Sequence, residues 1–347
     1  MPWIGSKKIA KKFLFLVFFL IFSFIFIALK LQSALFQKIP IQDANQTFIV
    51  KKGDSLYGIL SSLEKEYNLS DTWWIKFRYI FKEDPIIKAG RYNIFPNTSI
   101  SELIERFEDG DVQLFKLAII EGTVAKNNLN NLEKIIEDEK LNFDVPQSVK
   151  DIFAEEALLM PDTYFFSDQQ DLVQVLSNSK LYLEDYLKDS WAQRSKDNPL
   201  ETPYQALVLA SIIEREALLR SEQEKIASVF LSRLKIDMKL QADPTVKYAA
   251  YQTEKYNGTV IKRVLNKHLK INSPYNTYKF YGLPPGLISM PSIQAIDAVL
   301  NFEKHNYFFF AADPDNPGKH TFAKTLAEHK KNARKLHRYL NKKGIRK

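Results

Sequence analysis

The sequence predicts an α+β protein in three parts: an N-terminal transmembrane helix, a small α+β module, and a larger mixed α/β domain. Three observations point there. An apolar run near the N-terminus carries no charge from Phe13 to Leu29. Behind it, short β-type stretches alternate with short helical ones, which fits small α+β units in series better than a doubly wound parallel sheet. Further on, a mainly helical stretch from Leu132 to Leu200 leads into an apolar helix opening at Pro203.

The anchor is the simplest element to justify. Residues 13–29 read FLFLVFFLIFSFIFIAL; as a helix they rise about 26 Å, slightly less than a hydrocarbon core of ~30 Å. Leu31, Leu35 and Phe36 continue the run, and Lys30 can snorkel, so the predicted span is 13–32. Lys7, Lys8, Lys11 and Lys12 precede it, whereas Lys30 alone follows it closely. The positive-inside rule then puts residues 1–12 in the cytoplasm and the rest outside, on a single-pass inner (cytoplasmic) membrane protein. A cleaved signal peptide is the other reading, but the run is long for one and no A-x-A site follows.

Composition excludes several chemistries. The 347 residues contain no cysteine, so a thiol nucleophile, a Cys zinc site and an iron–sulfur cluster are ruled out. The net charge is +8. Much of it lies in the lysines before the apolar run and in the tail, 341–347, with Lys342, Lys343, Arg346 and Lys347, so nucleic acid is not an expected partner. The five histidines are scattered without HExxH, and there is no phosphate-binding glycine loop or G-x-S-x-G. Neither a metal nor another cofactor is expected.

A linker, 33–46, is broken by Pro40. Thr47–Val50 then reads as a strand, Lys52-Gly53-Asp54 as a turn, and Asp54 or Ser55 as the cap of a helix that buries Leu56, Ile59, Leu60 and Leu63. Ile49-Val50-Lys51-Lys52-Gly53-Asp54-Ser55-Leu56 resembles the start of a LysM module, a small βααβ fold that binds N-acetylglucosamine-containing glycans; a generic strand–turn–helix is the alternative. Trp73, Trp74, Phe77, Tyr79 and Phe81 are expected mainly in the core, with sugar stacking as the alternative. Gly90–Ile94 reads as a strand, Ser99 or Ser101 as a cap for a helix to Phe107 that Asp109-Gly110 ends, and Leu114–Ile120 as another strand. The small module is thus set at 47–125 and the larger domain at 126–340.

Chemistry is expected on the helix from Pro203. Ala206, Leu209, Ala210, Ile213 and Ala217 share one face that should be buried. Glu214 lies beside that stripe among Ala210, Ser211, Ala217 and Leu218, a partly desolvated setting that suits a general acid. A helix-edge carboxylate with a structural hydrogen bond fits the same pattern. Glu216 points elsewhere and is expected to form a solvated ion pair with Arg220. Ser221 and Glu224 read as a capping box for a second helix over 222–236.

A series of motifs then narrows the reading. Ala210-Ser211-Ile212-Ile213-Glu214-Arg215-Glu216 is followed by Ala227-Ser228-Val229-Phe230-Leu231-Ser232-Arg233-Leu234 and Leu240-Gln241-Ala242-Asp243-Pro244-Thr245-Val246. Ser273-Pro274-Tyr275-Asn276-Thr277-Tyr278, Gly282-Leu283-Pro284-Pro285-Gly286 and Gly318-Lys319-His320-Thr321-Phe322 complete the set. From about Thr47 to His337 the chain resembles the endolytic murein transglycosylases, the YceG-like family. The resemblance implies a lyase that cuts peptidoglycan glycan strands between N-acetylmuramic acid and N-acetylglucosamine, leaving 1,6-anhydro ends. It puts the catalytic glutamate on Glu214. The chain departs from the family pattern at Thr123, after Glu121-Gly122, and at Ala157, after Glu156.

Gln241, Asp243, Tyr275, Asn276, Thr277, Tyr278 and His320 are the candidate substrate-binding residues. Asp243 reads equally as a helix cap, Asn276 as the centre of a turn, and His320 as a structural histidine. Two other functions stay open: a non-catalytic glycan-binding scaffold, and a hydrolytic muramidase with a second carboxylate such as Asp243. The expected partners are glycan strands, the inner membrane and glycan-synthesising enzymes.

Overall fold

The computed structural model describes residues 4–41, 46–80, 85–154, 156, 159–217, 219–256, 258 and 261–343. They divide into two compact units, Met1–Phe115 and Lys116–Lys347.

The first unit contains α1 (Ile4–Leu35), β1 (Gln46–Val50), α2 (Leu56–Tyr67), α3 (Thr72–Tyr79), β2 (Gly90–Ile94) and α4 (Ile100–Asp109). Strand β1 pairs antiparallel with β2, Gln46 opposite Ile94 and Val50 opposite Gly90. Between β1 and α2, Gly53 turns the chain at φ +92°. Of the two predicted caps for α2, Ser55 is the one used: its Oγ accepts the Gly58 N–H at 3.2 Å. Ser99 and Glu102 form a full capping box on α4, and Gly110 ends that helix in the left-handed region. Phe48, Val50, Tyr92 and Ile94 from the strands meet Leu60, Leu63, Ile75, Leu103 and Phe107 from the helices in one core, which also takes in Ala34 near the end of α1.

The stretch Lys11–Leu35 is long and apolar enough to cross a membrane. Its phenylalanine, leucine and isoleucine side chains from Phe13 to Leu29 are exposed, as lipid-facing ones would be. The aromatic segment departs from expectation. Trp73 and Phe77 are exposed rather than in the core, Trp74 and Tyr79 are half-buried against it, and Phe81 lies outside the described residues. The reason is helical phase: Ile75 and the Thr72 hydroxyl take the inward positions of α3.

The second unit follows with β3 (Phe115–Ala118), α5 (Ala125–Asp138), α6 (Gln147–Ala154), β4 (Thr163–Phe166), α7 (Gln169–Ala192), α8 (Pro203–Glu216), α9 (Gln223–Lys235), α10 (Asp243–Tyr251), α11 (Ile293–Leu300), β5 (Phe309–Ala312), β6 (His320–Ala323) and α12 (Leu326–Lys342). Strand β3 pairs with β4, and β5 with β6 antiparallel, so among the described residues every sheet has two strands. Helix α8 starts as predicted: Thr202 Oγ1 accepts the Gln205 N–H at 3.2 Å and Pro203 occupies the first turn. It is buried on more than the expected face. All residues from Ala206 to Ile213 are buried, because α7, α9, α10 and α11 surround it.

Two predicted caps are corrected. Ser221 and Glu224 form no capping box: a 3-10 turn, Arg220–Glu222, precedes α9, and no side chain caps it. Asp243 is the first residue of α10 and not its cap; Ala242 holds that place. The Asp243 carboxylate is drawn off by a tertiary partner, described below.

Arg233 of α9 braces this unit. Its Nε donates to the Phe308 carbonyl at 2.7 Å and its Nη1 to the Leu240 carbonyl. Burial pushes its pKa down to about 10, opposed by Tyr278 and Glu216. Replacing it, Arg233→Met, leaves a buried carbonyl without its donor and should destabilise the chain by about 1–3 kcal/mol. Thermal unfolding by circular dichroism checks this; an unchanged Tm would remove the arginine from the contacts that hold the fold.

Candidate functional site

Glu214 stands in the last turn of α8, half-buried. Its Oε2 accepts two hydrogen bonds from one residue, the Ser292 backbone N–H at 3.1 Å and the Ser292 hydroxyl at 2.5 Å. Ser292 is the N-cap of α11, and its Oγ also accepts the Ala295 N–H at 3.2 Å. The carboxyl therefore sits on a helix N-terminus, where the dipole favours negative charge. Among the described residues its Oε1 has no hydrogen-bond partner. Gly122, at φ +73°, lies against the side chain: a Cβ there would stand 3.8 Å from Glu214 Cγ. Gly122 is fixed by its N–H donating to the Met290 carbonyl at 2.8 Å and by Arg215 Nη1 donating to its own carbonyl at 3.3 Å.

This unit holds two clefts, one of them reaching Ser292. One, of about 660 Å³, is lined by Ser292, Glu121, Asp162, Tyr164, Tyr182 and others. Arg220 closes an ion pair with Glu121 at 3.0 Å. The other, of about 850 Å³, contains Glu156 and four tyrosines, Tyr204, Tyr248, Tyr251 and Tyr275. Tyr248 stacks near Tyr251 with ring centres 6.3 Å apart and meets Tyr275 at 4.9 Å. Gly286 is required where this wall turns, because a Cβ there would stand 2.9 Å from the Tyr275 hydroxyl and 3.3 Å from that of Tyr204. Burial pushes the Glu156 carboxyl up; hydrogen bonds from the Ala125 N–H at 2.7 Å and the Tyr248 hydroxyl at 3.0 Å, and the Arg215 charge, oppose that. Arg215 thus links the two sides, one residue from Glu214. Both clefts fall in the ~300–1,000 Å³ range of ligand sites.

The residues singled out from the sequence are used in different ways. Tyr275 lines the larger cleft. Gln241 is exposed, at φ +50°, and its N–H donates to the Thr277 carbonyl at 3.2 Å. Asp243 accepts the Tyr278 hydroxyl at 2.7 Å, and burial, then the Asp243 charge, push that phenol up. Asn276 is buried, its amide donating to the Leu269 and Ile271 carbonyls at 3.0 and 2.8 Å while its Oδ1 accepts the Tyr278 N–H. Thr277 is buried too, with its Oγ1 2.8 Å from Thr245 Oγ1. These two build the loop that presents their tyrosine neighbours. His320, on β6, is bound to Glu222, Nδ1 to Oε2 at 2.8 Å and N–H to Oε1 at 3.0 Å.

Glu216 overturns its expectation. It makes no surface pair with Arg220, which turns to Glu121 instead. Part of the residue is exposed, but its Oε2 is enclosed without a hydrogen-bond partner. Burial pushes the carboxyl up to about 8, aided by the Asp243 charge and opposed by Lys247 and Arg233. The helical wheel missed this because α9 and α10 cover the side of α8 that the sequence leaves polar.

Ser292, Gly122 and Glu156 were not identified as site residues. Pro291-Ser292 before an apolar run carries an N-cap signal, which could have marked the start of α11. Nothing local says that this cap meets a carboxyl 78 residues away.

The chain is similar to known proteins of one family. The sequence model of the YceG-like family matches residues 48–335. A Bacillus subtilis protein named endolytic murein transglycosylase is 30% identical over 318 residues, 84% of this chain and 86% of its own length. A Streptococcus pneumoniae protein of the same name is 25% identical over 338 residues, 87% of this chain but 60% of its own length. The crystal structure of a YceG-like protein from Listeria monocytogenes superposes with a TM-score of 0.51 at 28% identity, covering 84% of this chain and 99% of that one.

The state of Glu216 has a pH signature. Its pKa is about 8 in the folded chain against an ordinary 4.5. The folded state therefore keeps a proton that the unfolded state releases, and stability is greatest below pH 4.5 and declines as pH rises to about 8. Glu216→Gln removes this slope, so its Tm should gain on the wild type at pH 8 and match it more nearly at pH 5, by about 2–4 °C for each kcal/mol recovered. An identical pH dependence of Tm in the two proteins would show the carboxyl ionised in the fold.

Proposed function

We propose, from the premise that this chain belongs to the YceG-like family, that it is a membrane-anchored endolytic transglycosylase of peptidoglycan with Glu214 as its general acid/base. The names of the relatives support the reaction class. The observation that carries the assignment of the residue is the Glu214 carboxyl held at the N-terminus of α11 by both donors of Ser292, with its second oxygen unpaired and Ser292 itself lining a cleft.

The reaction is the one that the family resemblance implies. A protonated Glu214 gives the proton on Oε1 to the glycosidic oxygen between N-acetylmuramic acid and N-acetylglucosamine. The carboxylate this leaves is met by the Ser292 N–H and O–H and by the helix dipole, so charge develops where donors already stand. The same carboxylate then takes the proton of the muramic acid C6 hydroxyl as that oxygen attacks the anomeric carbon, closing the 1,6-anhydro ring. The glycosidic bond breaks, a C–O bond forms within the sugar, and Glu214 regains its proton. No water is consumed. A hydrolase needs a second carboxylate to activate water or to attack. Glu216, two residues away, is poorly suited to that, since with a pKa of about 8 it is mostly neutral at pH 7.

The strand occupies both clefts. Tyr275 and its tyrosine neighbours offer ring faces to sugars, Gln241, Asp243 and Tyr278 offer polar groups, and Asn276 and Thr277 hold the loop. His320 acts through Glu222, steadying the β5–β6 hairpin. The βααβ part of the first unit, in its LysM-like reading, gives a further hold on N-acetylglucosamine. With α1 in the inner membrane and residues 1–12 in the cytoplasm, both units work outside it on strands near the membrane, where glycan-synthesising enzymes are the natural partners.

The test is purified peptidoglycan incubated with the full chain in detergent, and released fragments analysed by mass spectrometry. Fragments one water lighter than hydrolytic ones are expected, and Glu214→Gln should slow their release by about 10²–10⁴. Reducing-end fragments would mean hydrolysis. Release that Glu214→Gln leaves untouched would sink the residue assignment, and glycan binding without release would make the chain a scaffold.

A further inference from the structure

Helix α3 exposes a stripe that a water-soluble module has reason to bury. Trp73, Phe77 and Ile80 follow at i, i+4 and i+7, and are 52%, 36% and 72% exposed. Their rings form a cluster, with Trp73 4.1 Å from Trp74 and 5.9 Å from Phe77. The acidic neighbours Asp71 and Glu64 are both paired with lysines, Lys30 at 3.9 Å and Lys76 at 3.4 Å. Lys76 also lies 4.5 Å above the ring of Tyr57, itself exposed on α2.

A second observation says what covers the stripe. Trp74, beside Trp73, meets Phe26 of α1 edge-on, ring centres 6.2 Å apart. Phe26 belongs to the charge-free run that ends at Leu29. Lys30 follows it four positions on, about 6 Å along the helix. Once α1 crosses a bilayer, Phe26 lies within the edge of the hydrocarbon and Lys30 at the headgroups. A helix that touches Phe26 through Trp74 and starts at the Asp71–Lys30 pair must then lie at the same depth. Tryptophan is favoured there, and an apolar stripe edged by cations is what an interfacial helix presents to lipid.

We propose that α3 is an interfacial membrane helix, with Trp73, Phe77 and Ile80 set into the headgroup–acyl boundary of the bilayer that α1 spans. The first unit is then held against the membrane at two places, by a helix through the bilayer and a helix in its surface, and does not swing on a tether. The inference rests on α1 spanning the membrane and not on the reaction proposed above.

The experiment uses the full chain with Trp73 as its sole tryptophan (Trp3→Phe, Trp74→Phe, Trp191→Phe), reconstituted into vesicles of phosphatidylethanolamine and phosphatidylglycerol. The chain should float with the vesicles. Trp73 emission should be quenched by lipids brominated high on the acyl chain, and adding Phe77→Ser and Ile80→Ser should raise its quenching by aqueous iodide at least about fivefold. Phe77 and Ile80 are exposed, so adding these two substitutions should leave circular dichroism unchanged. Trp73 open to iodide and untouched by brominated lipid, in a chain that floats, overturns the proposal while leaving the anchor intact. A chain that does not float overturns both. A Trp73 emission shift on adding an N-acetylglucosamine hexamer to the vesicles would identify a sugar platform instead and also overturn it.

Discussion

The contact between Glu214 and the N-terminus of α11 is the constraint on which the site depends. A carboxyl at the end of a buried helix has to find donors, since burying it without them is costly. Here one serine supplies two, and that serine in turn caps the helix whose dipole faces the carboxyl. The surrounding backbone follows from it. Ser211 Oγ accepts the Ile288 N–H at 3.1 Å, holding the segment before α11 to α8, and Met290 exchanges hydrogen bonds with Gly122 and Thr123. The glycine is needed because the chain passes close to Glu214 at a positive φ.

Around this contact the second unit separates its acidic groups by environment. Glu214 is given donors on one oxygen and left open on the other. Glu216, two residues on, has an enclosed oxygen, and its proton is retained to about pH 8. Glu156 is buried among an N–H, a phenol and a guanidinium. Asp243 is occupied by Tyr278. These carboxyls thus meet different surroundings, and no cluster of metal-ligand type is found among the described residues.

The first unit shows a different economy. Its core is compact, built by two short strands against three helices, and Ala34 ties the end of α1 into it. That leaves the aromatic face of α3 outward, next to the apolar run. Phenylalanine therefore acts as core at Phe107 and as surface at Phe77, according to helical phase and not composition.

Local chemistry by itself determined the elements whose signals lie within a few residues. The apolar run of α1, the β1 turn at Gly53, the Ser99 capping box, the Gly110 stop and the Thr202-Pro203 start of α8 are all readable, because each depends on backbone geometry or on one cap. Glu214 was legible as a partly desolvated carboxyl for the same reason, and the role proposed for it came from the order of motifs along the chain. Tertiary structure alone decided which partners those groups meet. Asp243 turned to Tyr278 and does not cap its helix, and α9 starts from a 3-10 turn with no Ser221–Glu224 capping box. Glu216 was enclosed by helices distant in sequence, and Ser292 reached Glu214 across 78 residues. Periodicity shows which face of a helix is apolar, but a hydrogen bond or a burial between distant segments depends on packing, which no window of sequence contains.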